Sequence, residues 1–178
     1  NGTGGKLYII NPSTGAATIA STLTNANATG GALVFDAAKT YSIDFNPAAD
    51  RLRIVSSGSG DGENYRINVE SGATIVERDQ TAATGGDPAG GDLKPAATAP
   101  AANNFSVTQI AYTRNFSSTI RPSPATKMFD IDAVNAALLQ QLPPNTGNLS
   151  LIGSVGGTLN SFAGFDVVGG DDGARVIA

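Results

Sequence analysis

Short runs of apolar, mostly β-branched residues alternate with polar turns along this chain, a pattern that predicts β-strands. The segment 6–21 (KLYIINPSTGAATIAS) aligns with 64–77 (NYRINVESGATIVE), and both are typical of hairpins around a turn that ends in Gly. Tyr8 matches Tyr65 in this alignment, and Gly15 matches Gly72. A third, more divergent copy begins at Lys127 and carries an insertion between its two strands. The chain is therefore predicted to be all-β and built from repeats.

A second repeated element precedes each hairpin, at 41–55, 107–116 and 161–178. In 51–54, Leu52 and Ile54 alternate with Arg51 and Arg53, which predicts a strand with one buried face. With its upstream strands named a and b and the hairpin strands c and d, the run 41–79 forms one four-stranded antiparallel unit. Such units are typical of β-propeller blades, and we predict a single domain, 1–178, with about three blade equivalents.

The order of the elements predicts that one blade is split. The sequence starts with a c-d hairpin, passes through two a-b-c-d units and stops after an a-b pair. Because unpaired sheet edges recruit other strands, the two halves are predicted to join, within one molecule or between subunits. Joining between subunits predicts a homo-oligomeric ring or a filament.

Two segments depart from the strand pattern. Val134, Leu138 and Leu142 share a helical face, so a short helix is predicted at 132–142, capped by Asp132 and ended by Pro143. The Ala/Gly/Pro-rich segment 80–104 has almost no large apolar residues and is predicted to be an extended or flexible exposed loop.

Several strings resemble a bacterial family of largely exported proteins, known as the domain of unknown function 4394. They are KLYIINPSTGAAT, FNPAADRLRIVSS, NYRINVESGAT, AYT at 111–113, FDID at 129–132, LPPNTGNLSLIGSVG and the closing GFDV, and they follow the family order over most of the chain. The resemblance implies propeller-like repeats and export, and it implies no catalytic residues. The family's N-terminal repeats have no counterpart here, and the Ala/Pro-rich segment is longer than usual.

Composition narrows the classes of function. Eleven Lys and Arg against 15 Asp and Glu leave no basic stripe for nucleic acid, and no apolar run is long enough to span a membrane. The chain has neither His nor Cys, which excludes Ser-His-Asp and Cys-His catalytic centres and most zinc sites. The lack of Cys and the start at Asn1 rather than Met are typical of a secreted or cell-surface protein from which a leader has been removed.

The carboxylates are the remaining candidates for chemistry. Asp44 and Asp166 occupy equivalent strings, SIDF and GFDV, so they are candidates for an acid pair but are better explained as structural residues that hydrogen-bond a neighbouring backbone. Asp50, Arg51 and Arg53 lie together in DRLR, and a carboxylate on the adjacent strand is the expected partner of the arginines. Two turns carry oxygen ligands that calcium accepts, although the spacing of a calcium loop is not met. Their residues are Asp61, Glu63 and Asn64 in the first turn and Asp171 and Asp172 in the second.

These observations favour a non-catalytic extracellular structural or adhesive module that self-assembles by strand complementation. The first alternative is a monomeric module that binds a surface glycan or a peptide, for which an aromatic-lined groove is expected. The second is a carboxylate-dependent hydrolase. No cofactor is predicted, apart from calcium at the two turns.

Overall fold

The computed structural model describes residues 4–25, 31–58, 62–76, 93–95, 105–114, 126–160, 163–168 and 175–177. In these ranges the chain forms β-strands and one 3-10 turn, at Pro144–Thr146, so the predicted all-β class is confirmed. None of these residues belongs to a helix long and apolar enough to cross a membrane. The strands are β1 (Lys6–Ile10), β2 (Ala17–Thr22), β3 (Thr24–Asn25), β4 (Tyr41–Asn46), β5 (Arg51–Ser56), β6 (Asn64–Ile67), β7 (Ala73–Val76), β8 (Lys94–Pro95), β9 (Gln109–Tyr112), β10 (Met128–Asp132), β11 (Ala137–Gln141), β12 (Asn148–Ser154), β13 (Asp166–Val168) and β14 (Arg175–Ile177).

Two five-stranded sheets share one topology. In the first unit, β4 to β7 form an antiparallel meander and β3 adds to the outer edge of β7 in parallel. In the second unit, β9 to β12 form the same meander and β8 adds in parallel to β12. The hairpins β1–β2 and β13–β14 form separate two-stranded antiparallel sheets. The middle of the chain therefore builds the same four-stranded unit twice.

The helix predicted at 132–142 is wrong, because β10, a tight turn and β11 occupy this segment. Residues four apart share a face in a helix, but they also share a face in a strand, whose period is two. Burial follows the strand period: Ala137, Leu139 and Gln141 are buried, whereas Val134 is 78% exposed and Leu142 is 60% exposed. The third copy predicted from Lys127 is therefore three strands, β10 to β12, rather than one hairpin with an insertion.

One turn design occurs at four of the strand reversals in the described residues. An Asn or Asp at the first position accepts two backbone N–H groups on its Oδ1, two and three residues further on, at distances of 2.9–3.3 Å. The fifth position has a positive φ of 48–71°, which ends the right-handed turn. The first positions are Asn11, Asn46, Asn68 and Asp132, and the fifth are Gly15, Asp50, Gly72 and Ala136. Asp132 thus caps a hairpin turn and not a helix.

Strand β5 of the first unit is buried on both faces. Leu52 and Ile54 of β5 pack with Leu23 and other residues of one hydrophobic cluster. Val55, on the opposite face of β5, belongs to a second cluster that contains mainly residues of the second unit. The alternation in 51–54 predicted a single buried face, and this is wrong because Arg53, on the same face as Val55, is only 1% exposed. Its charge is accommodated by hydrogen bonds to the second unit.

The Ala/Gly/Pro-rich segment 80–104 is described only at residues 93–95. There Leu93 is fully buried in the cluster of the second unit, and its N–H donates to the carbonyl of Gly62 at 2.8 Å. This leucine is an exception to the exposed loop predicted for the segment. It fixes the segment between the two units at this point.

Two turn glycines provide a matched test of the turn design. Both have a φ of 71°, but a Cβ on Gly15 meets nothing within 4 Å, whereas one on Gly72 would clash with the carbonyl oxygen of Thr22. We expect Gly15→Ala to cost about 1 kcal/mol from backbone strain alone. Gly72→Ala should cost about 1–3 kcal/mol more because the β2 backbone must also move. Urea unfolding of the two variants measures the difference, and equal losses would contradict the close approach.

Candidate functional site

A buried guanidinium joins the two units. Arg53 on β5 donates from Nε to the hydroxyl of Tyr112 on β9 at 3.2 Å. Its Nη1 donates to Oδ1 of Asn64 on β6 at 2.9 Å, and its Nη2 donates to Oδ1 of Asn145 at 2.7 Å. Asn145 lies in the 3-10 turn between β11 and β12. One side chain thus ties two strands of the first unit to two segments of the second.

Two amides and one backbone carbonyl extend this cluster. Asn64 donates from Nδ2 to the carbonyl of Pro144 at 3.0 Å, and Gln141 donates from Nε2 to the same oxygen. Asn64 and Gln141 are both fully buried. Because each end of the Asn64 amide has a partner in a different unit, Asn64 is a structural bridge.

Asp130 is the most perturbed acid among the described residues. It lies on β10, opposite Ile110 and Leu139, and is fully buried. Neither of its carboxylate oxygens has a hydrogen-bond partner. Burial raises the pKa of the Asp130 carboxyl well above its usual range, and the positive charge of Arg53 opposes this only in part. Burial therefore favours the protonated, neutral form of the Asp130 carboxyl.

Side chains of β4 cover the free edge of β9. Ser42 Oγ accepts the N–H of Ile110 at 3.0 Å, and Asp44 Oδ2 accepts the N–H of Tyr112 at 2.6 Å. The other oxygen of Asp44 accepts the N–H of Phe45 at 2.8 Å. Both carboxylate oxygens of Asp44 thus bind backbone, one in each unit.

Asp166 repeats half of this arrangement on β13. Its Oδ1 accepts the N–H of Val167 at 2.8 Å, as Asp44 accepts the N–H of the residue that follows it. Asp166 is exposed, and β13 packs against β9. The two acids therefore share a hydrogen bond to the N–H of the following residue.

The charged residues of the DRLR string have two different roles: Asp50 and Arg51 belong to an exposed turn, and Arg53 belongs to the buried cluster. Asp50 holds the positive-φ position of its turn, with a φ of 51°. Arg51 donates from Nη1 to the carbonyl of Asp50 at 2.7 Å, on the exposed side of that turn. Arg53 lies opposite Asp44 in the strand register but reaches across to the second unit. Only Arg53 belongs to the buried cluster.

The structure describes two of the five residues that were predicted to bind calcium, Glu63 and Asn64. Asn64 points its amide into the buried cluster, and Glu63 lies 3.6 Å from the ammonium of Lys39. Asp61, Asp171 and Asp172 lie outside the described residues. Within the described ranges, no three acidic side chains group closely enough to hold a metal ion. Calcium binding at these turns stays a prediction.

The β1–β2 hairpin presents an apolar surface and an open strand edge. Tyr8, Ile9, Ile10 and Ile19 are each between 53% and 64% exposed. In the part of the chain that the structure describes, β1 pairs only with β2. The opposite edge of β1 therefore has backbone groups available for another strand.

Next to this edge lies an uncovered part of the first unit. Ile43 and Phe45 of β4 are 60% and 51% exposed, although Ile54 and Leu52, their partners on β5, are buried. Phe45 borders a cavity of about 470 Å³ that Tyr8 and Ile9 also line. We name the exposed face of β4 together with the open edge of β1 the open slot.

Comparison with known proteins gives a family but no activity. Residues 2–178 match the model of a family described as a domain of unknown function (DUF4394). No curated protein matches the chain. No solved structure matches it either.

Arg53→Lys should destabilise the fold by about 2–4 kcal/mol, because one ammonium cannot replace a planar fork that serves three acceptors. Arg51→Lys, two residues earlier on the same strand, should change stability by less than about 0.5 kcal/mol. Urea unfolding measures both free energies. Similar losses in the two variants would contradict the assignment of Arg53 as the joint between the units.

Asp130→Asn should stabilise the protein at neutral pH and change how its stability depends on pH. The carboxyl ionises near pH 4 in the unfolded chain but stays protonated in the folded one, so stability falls as the pH rises from about 4 to the raised pKa. The amide removes this loss while keeping the shape. Thermal unfolding between about pH 4 and pH 8 should show that the advantage of the variant grows with pH. A variant that is less stable at neutral pH would indicate an ionised Asp130 paired with Arg53.

Proposed function

This chain belongs to the family of the domain of unknown function (DUF4394), and we propose that it is a non-catalytic structural module that assembles by strand complementation between copies. In this proposal the four-stranded units are propeller blades. The proposal also places the protein outside the cell, at a surface or in a matrix, as the sequence resemblance implies. Its mechanism is the pairing of backbone edges combined with burial of apolar side chains.

The open slot carries this proposal. The β1–β2 hairpin corresponds to strands c and d of a unit, since its residues align with those of β6 and β7. The β13–β14 hairpin corresponds to strands a and b, since Asp166 matches Asp44. Ile43 and Phe45 are exposed where an a-b hairpin beside β1 would cover them. Docking the missing half-unit there both completes a meander and buries an apolar face.

The register of the first unit predicts how the two halves pair. In that unit Asp44 lies opposite Arg53, and Arg53 lies opposite Arg66. Asp166 lies opposite Ile177, and Ile9 aligns with Arg66. Transfer of the register therefore places Ile177 of one copy opposite Ile9 of another.

A second copy is the occupant we propose, because the chain's own hairpin is placed elsewhere. Its β13 packs against β9 of the second unit. Its β14 pairs with β13 and, among the described residues, with no strand of the β1–β2 sheet. Reciprocal exchange between copies closes a ring, whereas one-way exchange extends a filament.

The hydrogen bonds of Asp44 support a structural role for this acid rather than a role in hydrolysis. Both carboxylate oxygens of Asp44 accept backbone N–H groups at 2.6 and 2.8 Å. A carboxylate committed in this way has little capacity left to act as a nucleophile or base. We therefore favour assembly over the hydrolase alternative.

Disulfide trapping tests the proposal directly, since the natural chain has no Cys. We expect Ile9→Cys and Ile177→Cys, prepared as separate single variants and mixed, to form a covalent heterodimer on mild oxidation. Residues opposite each other on paired strands lie within the about 4.4–6.8 Å between Cα atoms that a disulfide requires. Non-reducing electrophoresis of the mixture measures the yield.

Ile19→Cys mixed with Ile177→Cys is the matched control. Ile19 is also exposed, but it lies on β2, one strand beyond β1 and so about 10 Å from the incoming strand. This mixture should yield little heterodimer. Equal yields from both mixtures, or a double variant Ile9→Cys/Ile177→Cys that cross-links only within one chain, would refute strand complementation between copies. Sizing of the natural chain then distinguishes a closed ring from a filament.

A further inference from the structure

The outer strand of each five-stranded sheet is covered in the same way. Strand β7 follows the turn glycine Gly72 and β12 follows Gly147, and these glycines have φ values of 71° and 68°. The two residues after each glycine pair in parallel with a short strand, β3 or β8. Each short strand directly follows a buried leucine, Leu23 or Leu93. The cover of an outer strand is therefore a leucine followed by two residues in extended conformation.

The β1–β2 hairpin has the same turn geometry. Its turn glycine, Gly15, also has a φ of 71°. The N–H of Asn11 donates to the carbonyl of Ala16 at 2.8 Å, and the equivalent bonds in the other two turns are 2.9 and 3.0 Å long. Because hydrogen bonding alternates along an antiparallel pair, the N–H and the carbonyl of Ala17 point away from β1. Among the described residues β2 pairs only with β1, so this outer edge of β2 is open.

The surroundings of the three turn glycines differ in a way that fits this open edge. Gly72 and Gly147 are buried, whereas Gly15 is exposed. A Cβ on Gly72 would clash with the carbonyl oxygen of Thr22, but a Cβ on Gly15 meets nothing within 4 Å. Thr22 leads directly into the segment that covers β7. None of the described residues therefore lies over Gly15 as Thr22 lies over Gly72.

The face of the hairpin beside this edge is apolar and exposed. In the first unit, Tyr65 and Ile67 lie in one buried cluster with the leucine that precedes β3. Their counterparts in the alignment, Tyr8 and Ile10, are 53% and 64% exposed. Ile19, which lies opposite Tyr8, is 56% exposed. A leucine placed on this face would bury these side chains, as the leucine before β3 buries their counterparts.

The lengths of the connections indicate that this cover comes from a different polypeptide. Residues 26–40 connect β3 to β4 and residues 96–108 connect β8 to β9, which are 15 and 13 residues. Only 11 residues, 155–165, lie between β12 and β13. They would have to include a leucine and a two-residue strand as well as a crossing of similar length. A copy that supplies β13–β14 to β1 therefore cannot also cover β2 in this way.

We propose that the outward side of the β1–β2 hairpin binds an extended segment of a partner polypeptide. A leucine of that segment packs on Tyr8 and Ile10, and the next two residues pair in parallel with Ala16 and Ala17. This is strand addition at an open edge, in which the backbone supplies the hydrogen bonds and the leucine supplies the specificity. The site does not rest on strand complementation between copies, because that uses the opposite edge of the hairpin, at β1.

The rate of disulfide coupling to a peptide tests the site. The peptide ASTLTC has the sequence of residues 20–25 with Cys in place of Asn25, and the control peptide ASTATC lacks the leucine. Asn25 pairs with Thr74, the counterpart of Ala17, so docking would bring the peptide thiol within the about 4.4–6.8 Å between Cα atoms that a disulfide allows. With each peptide activated as a thiopyridyl disulfide, Ala17→Cys should couple ASTLTC about 10-fold faster than ASTATC. Absorbance of the released thiopyridone measures both rates.

Val134→Cys is the control for exposure. Val134 is 78% exposed and lies in the turn between β10 and β11, so this variant should couple the two peptides at equal rates. Equal rates in Ala17→Cys as well would overturn the proposal.

Two Asn variants of the Ala17→Cys chain test the binding geometry. Asn tolerates the left-handed region, so Gly15→Asn should fold, which circular dichroism checks. Its Cβ would clash with the incoming segment as a Cβ on Gly72 clashes with Thr22, so coupling of ASTLTC should fall to the rate of ASTATC. Ala136→Asn, at a positive-φ position that already has a Cβ, should leave the rate unchanged. Fast coupling that persists in Gly15→Asn would contradict binding in the manner of β3.

Two further outcomes separate this site from assembly. A heterodimer between Ala17→Cys chains and Asn160→Cys chains, whose Cys lies in the linker after β12, would assign the edge to a second copy and overturn the proposal. Fast coupling of ASTLTC without cross-linking of Ile9→Cys to Ile177→Cys would refute strand complementation alone. The reverse result would refute the peptide site alone.

Discussion

A guanidinium removed from water must find its hydrogen bonds inside the protein, and Arg53 finds them on three segments that are far apart in sequence. Tyr112, Asn64 and Asn145 accept them from β9, β6 and the turn after β11. All three acceptors are neutral oxygens, so the bonds depend on geometry more than on opposite charge. These hydrogen bonds therefore constrain how the two units pack against each other.

Asp130 lies near Arg53 but does not form a hydrogen bond with it. A carboxylate beside Arg53 would gain Coulomb energy, but neither of its oxygens receives a hydrogen bond, so the loss of hydration dominates and its pKa rises. The charge of Arg53 is thus held by neutral acceptors, on Tyr112, Asn64 and Asn145. Such a network fixes the position of one sheet against the other.

Local features of the fold were predictable from sequence, whereas its long-range contacts were not. The hairpins and the all-β class follow from period-two alternation and turn residues, which are local. The segment 132–142 was mistaken for a helix because i, i+4 spacing fits both periods. Its Asp-initiated turn, the same design as at Asn11, Asn46 and Asn68, was the signal that could have corrected this. Asn145 gave no signal, since its partner Arg53 lies in the other unit, 92 positions earlier in the chain.

The way the molecule treats its sheet edges supports an incomplete β1–β2 sheet. Exposed edges attract other strands, and folded proteins usually protect them. Here the outer edges of β7 and β12 are covered by β3 and β8, and the edge of β9 is covered by Ser42 and Asp44. The edge of β1 has no such cover in the described residues, and it lies beside the exposed Phe45. An open edge beside an exposed apolar face is the arrangement that the proposed strand complementation requires.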